Sequence, residues 1–278
     1  MRASAANAVA QKLDSGPPLK TAVIVPAYNE AGRIFPVLKA ITEASLVDEV
    51  IVVADGCTDS TADEARAFAA RMERDAGGPE YCIPLRVFDM EHNIGKGGAL
   101  TYGAHRTEAD VVVFLDADLI GLQPAQVDAL IEPMLDRDVG RRADMTLGLF
   151  GAARGGVVGW WLGFCHRKVA AITGQRAIRR DVFLAVPGLT ESRFGVETAI
   201  TRYVRHEWKL NVQEVALDGV THPIKEEKIG IWRGVGYRIA MYGEIMTYLT
   251  FDILRNRASM RHRRESSQMR QRFSNHKT

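Results

Sequence analysis

The stretch Thr21-Ala-Val-Ile-Val-Pro-Ala-Tyr-Asn-Glu30 decides the reading of this chain. Its first half, 21–25, is a short β-branched and apolar run. Its second half, Pro26-Ala27-Tyr28-Asn29-Glu30, turns small and polar, and helically spaced apolar residues follow over about 31–44. An apolar run without polar alternation predicts a strand buried on both faces, and a helix after it predicts a βαβ crossover. The unit recurs. The run 49–54 precedes a helical pattern at 60–74, 85–88 precedes 97–106, 111–115 precedes 124–135, and 145–150 reads as a fifth strand. These repeats predict an α/β fold: an open, Rossmann-like, mostly parallel sheet with helices on both faces.

The polar clusters fall where such a fold puts its ligands. Pro26–Glu30 follows the first run, Asp55-Gly56-Cys57-Thr58-Asp59-Ser60 the second, Asn93-Ile94-Gly95-Lys96-Gly97-Gly98 the third, and Asp116-Ala117-Asp118 the fourth. In a parallel sheet the C-terminal strand ends share one edge, and ligands bind in the crevice there. Asp116 and Asp118 lie two residues apart, which puts both carboxylates on one side of an extended chain. Hard oxygen ligands on one side suit Mg²⁺ or Mn²⁺, which also takes phosphate oxygens. Gly95–Gly98 opens a helix, where glycine admits a close ligand and Lys96 adds charge to a terminus that favours anions. Asp55 can accept a base N–H and Glu30 ribose hydroxyls. Together the clusters describe a nucleoside diphosphate bound through a divalent metal. Singly, each is also ordinary turn or helix-cap chemistry.

Those motifs, Val-Ile-Val-Pro-Ala-Tyr-Asn-Glu (23–30), Asp-Gly-Cys-Thr-Asp-Ser-Thr (55–61), Asn-Ile-Gly-Lys-Gly (93–97) and Asp-Ala-Asp-Leu (116–119), resemble the GT-A glycosyltransferases of family 2. The chain is also similar to the related glucosyl-3-phosphoglycerate synthases and polyprenyl-phosphate sugar synthases. The resemblance spans roughly residues 20–225. It implies a nucleotide-sugar donor, with Pro26, Ala27, Tyr28, Glu30, Asp55, Gly56, Lys96, Asp116 and Ala117 around the nucleotide. It implies Asp118 on the metal and Asp116 near the ribose or metal. Thr173-Gly174-Gln175-Arg176 stands where such enzymes carry an acceptor or sugar loop, and Glu197 where they carry a later acidic residue. That residue is the base in inverting members, while retaining phosphoglycerate enzymes carry a similar Gly-Val-Glu. His222 resembles a third metal ligand. The expected catalytic set is therefore Glu197, Asp118 and Lys96. Arg176, Arg179 and Arg180 beside this loop predict an anionic acceptor, such as 3-phosphoglycerate or a polyprenyl phosphate.

The second half is otherwise less regular. A glycine-rich stretch at 151–159 reads as a lid-like loop, 160–172, 179–186 and 196–208 as helices, and 210–217 as a strand. Over 231–254, Trp232, Val235, Ile239, Tyr242, Met246, Leu249 and Ile253 recur at alternating spacings of 3 and 4, an amphipathic helical seam. The seam predicts packing on its own domain, on a second copy as a homodimer, or on a bilayer surface. From Arg255 onward the chain carries a net charge of +7, against −5 for the rest. Such a tail predicts an anionic partner surface, a membrane contacted peripherally, a nucleic acid or an acidic neighbouring subunit; of these no nucleic acid is expected as a partner.

The organisation read from this is an N-terminal extension (1–20), a catalytic domain (21–228, divided near 120 into nucleotide and acceptor halves) and a C-terminal helix with a basic tail (229–278). Hydrophobic residues make up 46% and charged residues 25% of 278. This excludes disordered and collagen-like chains. Three cysteines, Cys57, Cys82 and Cys165, are too few for a disulfide framework. With no apolar leader or span recognisable, the expected location is the cytoplasm. Two rival readings are a nucleotidyltransferase on a similar sheet and an inactive nucleotide-binding scaffold. Pro26–Glu30 lacks the glycine-rich basic motif of the first, and the intact Asp55, Lys96, Asp116 and Asp118 speak against the second.

Overall fold

The computed structural model describes residues 18–79, 82–150, 173–190 and 195–221. The expected loop 151–159, the helices 160–172 and 231–254, the basic tail, most of the N-terminal extension, and His222 lie outside the described residues.

The described chain runs β1 (Thr21–Ala27), α1 (Ile34–Thr42), β2 (Glu49–Asp55), α2 (Thr61–Ala76), β3 (Leu85–Met90), α3 (Gly95–Ala104), β4 (Val111–Phe114) and α4 (Pro124–Ile131). It continues through a 3-10 turn (Glu132–Met134), β5 (Met145–Phe150), β6 (Arg176–Arg179), α5 (Arg180–Leu184), α6 (Val196–Thr201), a π-helical turn (Arg202–Glu207) and β7 (Val212–Leu217). The described strands form one sheet in the order β3-β2-β1-β4-β6-β5-β7. β3, β2, β1 and β4 are mutually parallel, and β5 is parallel to β7. β6 runs antiparallel between β4 and β5. The sheet is thus mostly parallel, as expected.

The apolar runs are continuous because both faces are covered. Val23, Val25, Val50, Val52, Val111 and Val113 pack with α1, α2 and α4 residues such as Leu38, Ile41, Phe68 and Leu130. The alternate residues Ile24, Ile51, Val53, Val112 and Phe114 pack with Leu100, Phe183 and Ile200 of α3, α5 and α6. A strand with period-2 side chains and helices on both sides has no face left for polar residues. Among the described residues no helix is long and apolar enough to cross a membrane.

Two expectations in the second half need correction. Residues 176–179 form β6, and the helix expected at 179–186 is the shorter α5. Arg176 opposite Phe114 and Arg179 opposite Val111 are sheet residues, so four consecutive positions with two arginines hid a strand. The helix expected at 196–208 is α-helical only to Thr201, and then widens so that Trp208 N–H reaches the Tyr203 carbonyl. The buried Trp208 ends this wider turn beside Tyr203. The strand expected at 210–217 is β7.

One close approach ties the Asp116–Asp118 segment to the end of β7. Ile120 and Thr221 exchange both backbone hydrogen bonds, at 2.9 and 3.0 Å. Gly121, at φ +79°, sits so near that an added Cβ would lie 2.6 Å from the Gly219 carbonyl oxygen. Gly121→Ala is therefore expected to lower stability by about 1–3 kcal/mol through strain and clash together. Urea unfolding measures this; a change within error would show that the two turns part at little cost.

Candidate active site

Strand registers bring the first two polar clusters side by side. Pro26 pairs with Val53 and Ala27 with Ala54, so both chains leave the sheet at one level. Met90 pairs with Asp55, which adds the 93–96 turn at the same edge. Phe114 pairs with Ile24 and with Arg176, so Asp116 and the start of β6 join them. The expected convergence of strand ends is what this register produces.

Asp55 is 4% exposed, and its Oδ1 accepts the Ile94 backbone N–H at 2.6 Å, while Asn93 Nδ2 donates to the Asp55 carbonyl at 3.0 Å. The second and third clusters are thereby locked together. Gly56 has φ +67°, and a Cβ there would sit 2.5 Å from the Asn93 nitrogen, so this crossing requires glycine. Glu30 pairs with Arg33 Nε at 2.6 Å. Tyr28 is 52% exposed at the mouth of the edge. Asp116 and Asp118 are half-buried, whereas Ala117 and Leu119 between and after them belong to the core. That alternation keeps both carboxylates accessible.

The centre of the site is an ion-pair cluster. Lys96 Nζ lies 2.7 Å from Asp116 Oδ1 and 2.7 Å from Glu197 Oε1. Burial opposes the charge on Lys96, but the carboxylates of Asp116 and then Glu197 outweigh it and hold the ammonium above its ordinary pKa. Gln175 Nε2 donates to the other Asp116 oxygen at 2.9 Å. Both Asp116 oxygens are thus engaged by protein donors. Gly174 makes room for the cluster: a Cβ on it would stand 2.7 Å from both Asp116 Oδ2 and Lys96 Nζ. Among the described residues no group of three His, Cys, Asp or Glu is arranged to hold a metal. Thr221, the residue before His222, is bridged to Ile120, two positions past Asp118.

The acceptor expectations fare differently. Gln175 is 0% and Arg176 1% exposed, so neither presents a surface to the crevice. Pairing of β6 with strands on both sides buries them. Arg176 donates to the Glu197 carbonyl at 3.1 Å, to Thr201 Oγ1 at 3.3 Å and to the Thr173 carbonyl. Burial pulls its guanidinium down to about 10, with Glu197 and then Asp116 acting in the opposite direction. It remains a cation at neutral pH, holding the backbone at Glu197 through the carbonyl. Arg179 and Arg180 stand at the opposite end of β6. Arg179 pairs with Asp144 and Asp181, and Arg180 with Glu108. The three-arginine acceptor cluster read from sequence is therefore not assembled at this edge.

The chain belongs to glycosyl transferase family 2, whose model matches residues 22–196. Over 116 residues it is 40% identical to a glucosyl-3-phosphoglycerate synthase of Mycobacterium tuberculosis, a match covering 41% of this chain and 33% of that protein. Over 115 residues it is 34% identical to a dolichyl-phosphate beta-glucosyltransferase of Drosophila melanogaster, covering 38% and 33%. The matched stretches thus span about a third of the length of these curated relatives. The fold is that of a crystal structure of the M. tuberculosis glucosyl-3-phosphoglycerate synthase in complex with Mn²⁺, UDP and glucosyl-3-phosphoglycerate. That similarity has a TM-score of 0.60 at 25% identity and covers 86% of this chain and 81% of that one. A complex of the same enzyme with Mn²⁺, UDP-glucose and phosphoglyceric acid matches with a TM-score of 0.55 at 26% identity, covering 78% and 77%. The GT-A fold expected from sequence is the fold observed.

The cluster makes a stability test available. Lys96→Met removes the cation shared by two carboxylates and is expected to lower stability by about 1–3 kcal/mol. Adding Glu197→Gln is expected to recover part of the loss, read by urea unfolding in a double-mutant cycle. Strictly additive losses would mean that the groups do not act as a unit.

Proposed function

We propose that this protein is a metal-dependent glycosyltransferase that moves a sugar from a nucleotide-sugar donor to an anionic acceptor. UDP-glucose or another UDP-sugar is the favoured donor. A small phosphorylated acid such as 3-phosphoglycerate, or a polyprenyl phosphate, is the favoured acceptor. The observation that carries the reading is the meeting of Asp55, Lys96, Asp116 and Glu197 at one sheet edge, with Glu30 and Asp118 on the adjoining turns. Solved relatives that hold Mn²⁺ with UDP or UDP-glucose support it.

In this reading Asp55 accepts a pyrimidine N–H while its backbone and Oδ1 hold the 93–94 turn in place. Glu30 accepts ribose hydroxyls, and Pro26, Ala27, Tyr28 and Gly56 shape the surface around the base. Asp118, Asp116 and His222 would hold Mg²⁺ or Mn²⁺, two carboxylates and an imidazole beside a nucleotide phosphate site. A bound divalent ion offsets the negative charge that develops on the departing diphosphate. Lys96 uses two of its three N–H donors on Asp116 and Glu197 and turns the third to the diphosphate. Glu197 is first a binding group for sugar or acceptor hydroxyls. A proton-accepting role would fall to its other oxygen, Oε2, since Oε1 is paired with Lys96.

Transfer from radiolabelled UDP-glucose and GDP-mannose to 3-phosphoglycerate and to a polyprenyl phosphate tests the proposal. Product is expected with a UDP-sugar and Mn²⁺ or Mg²⁺. Asp118→Ala is expected to lose at least about 100-fold in rate, a loss of roughly 2.7 kcal/mol of transition-state stabilisation, with its unfolding curve unchanged. Full activity in excess EDTA, or in Asp118→Ala, would remove the metal from the account.

A further inference from the structure

The loop between β1 and α1 is satisfied in an unusual way. Four consecutive backbone N–H groups in it each donate to a side chain of the segment 57–64. Asn29 N–H reaches Cys57 Sγ at 3.5 Å, and Glu30 N–H reaches Thr61 Oγ1 at 2.8 Å. Ala31 N–H reaches Asp59 Oδ2 at 3.2 Å, and Gly32 N–H reaches Glu64 Oε2 at 2.7 Å. The bonding also runs back, since Asn29 Oδ1 accepts the Thr58 N–H at 2.8 Å. Asn29 holds φ +56°, a conformation that asparagine tolerates better than most residues.

The acceptors are themselves fixed. Thr61 is fully buried, accepts the Glu30 N–H and donates its own hydroxyl to Asp59 Oδ1. Asp59 therefore holds Ala31 directly and Glu30 through Thr61. Ser60 Oγ donates to Glu64 Oε1 at 2.9 Å, which orients that carboxylate for Gly32. Cys57 Sγ–H points to the Ala27 carbonyl at 3.4 Å, and burial pushes the thiol up in pKa, so it serves as a neutral bridge.

We propose that Cys57, Asp59, Thr61 and Glu64 are positioning residues that clamp the β1–α1 loop in its nucleotide-binding conformation. This rests on the nucleotide reading given above and adds to it a cause for both affinity and selectivity. A loop ordered in advance loses less conformational freedom when ligand binds. The clamp also turns four adjacent amides toward 57–64. Free amides in a row make an anion cradle; these are spent on 57–64, so the polar side chain the loop brings toward the nucleoside is Glu30, held by Arg33. Such a surface selects the hydroxyl-bearing and N–H-bearing part of the ligand, the nucleoside, and leaves the diphosphate to Lys96 and the metal side.

Amide hydrogen exchange of residues 29–32 and UDP titration with Mn²⁺, on the full chain, test this together. Asp59→Ala is expected to speed exchange at Glu30 and Ala31 by about tenfold and to weaken UDP by about tenfold, the scale of a lost hydrogen bond. Exchange in β1 and β2 and kcat at saturating donor should stay near wild type. Asp59→Asn, which keeps one acceptor oxygen, should fall between. Thr61→Val should release the Glu30 amide while keeping its size in the core. Unchanged exchange in Asp59→Ala and Thr61→Val, or faster exchange with unchanged UDP affinity, overturns the clamp. Wild-type protein that binds neither UDP nor GDP overturns the nucleotide reading instead, and does so whatever the amides show.

Discussion

The site depends on one shared cation. Lys96 comes from the first turn of α3, Asp116 from just past β4 and Glu197 from the first turn of α6, so its ammonium ties these three elements together. Charges brought together at this depth are tolerable only when paired and hydrogen-bonded. The cluster's neighbours supply most of those partners, though the buried Arg176 Nε has none among the described residues. Gln175 satisfies the second Asp116 oxygen, Arg176 braces the backbone at Glu197, and Gly174 leaves the space a side chain would take. Two cations and two carboxylates thus balance beneath the crevice, and Asp118 adds a further negative charge on the next turn.

Around this centre the two sides of the sheet work differently. From β1 to β4 every strand is followed by a loop and a helix that packs back on the same strands. Each loop is therefore held at both ends by core residues such as Val25, Ile34, Val53 and Leu100. The other side enters the site through β6, which is inserted antiparallel between β4 and β5 and delivers Gly174, Gln175 and Arg176 from its start. Polar residues can occupy that position because their partners lie in the same sheet edge.

How far the sequence could be read follows from this difference. The strands β1, β2 and β4 announce themselves because burial on both faces fills their central positions, 22–25, 50–54 and 111–114, with Val, Ile, Ala and Phe. The sharp change to Pro26, Asp55 or Asp116 then marks the edge. β6 carried no such mark. Arg176 looks like a ligand-binding arginine in sequence, and only the pairing with Phe114 and the carbonyls around its guanidinium reveal an internal brace. Arg179 and Arg180 looked like neighbours of Arg176, but an extended chain moves them to the far end of the strand. The clamp on residues 29–32 was equally hidden, because backbone amides have no letter in a sequence. The nearest signals were Asn29, a residue suited to positive φ, and the acceptor-rich run Asp59-Ser60-Thr61 followed by Glu64.

The central claim is that a nucleoside diphosphate and its metal bind at this edge, between the Asp55 turn and Asp118. A crystal structure with UDP and Mn²⁺, with manganese located by its anomalous signal, addresses it most directly. The account predicts one manganese peak within coordination distance of Asp118 and of the diphosphate, with the base at Asp55. Ordered UDP or manganese at a different part of the sheet, with this edge unchanged at saturating ligand, would contradict it.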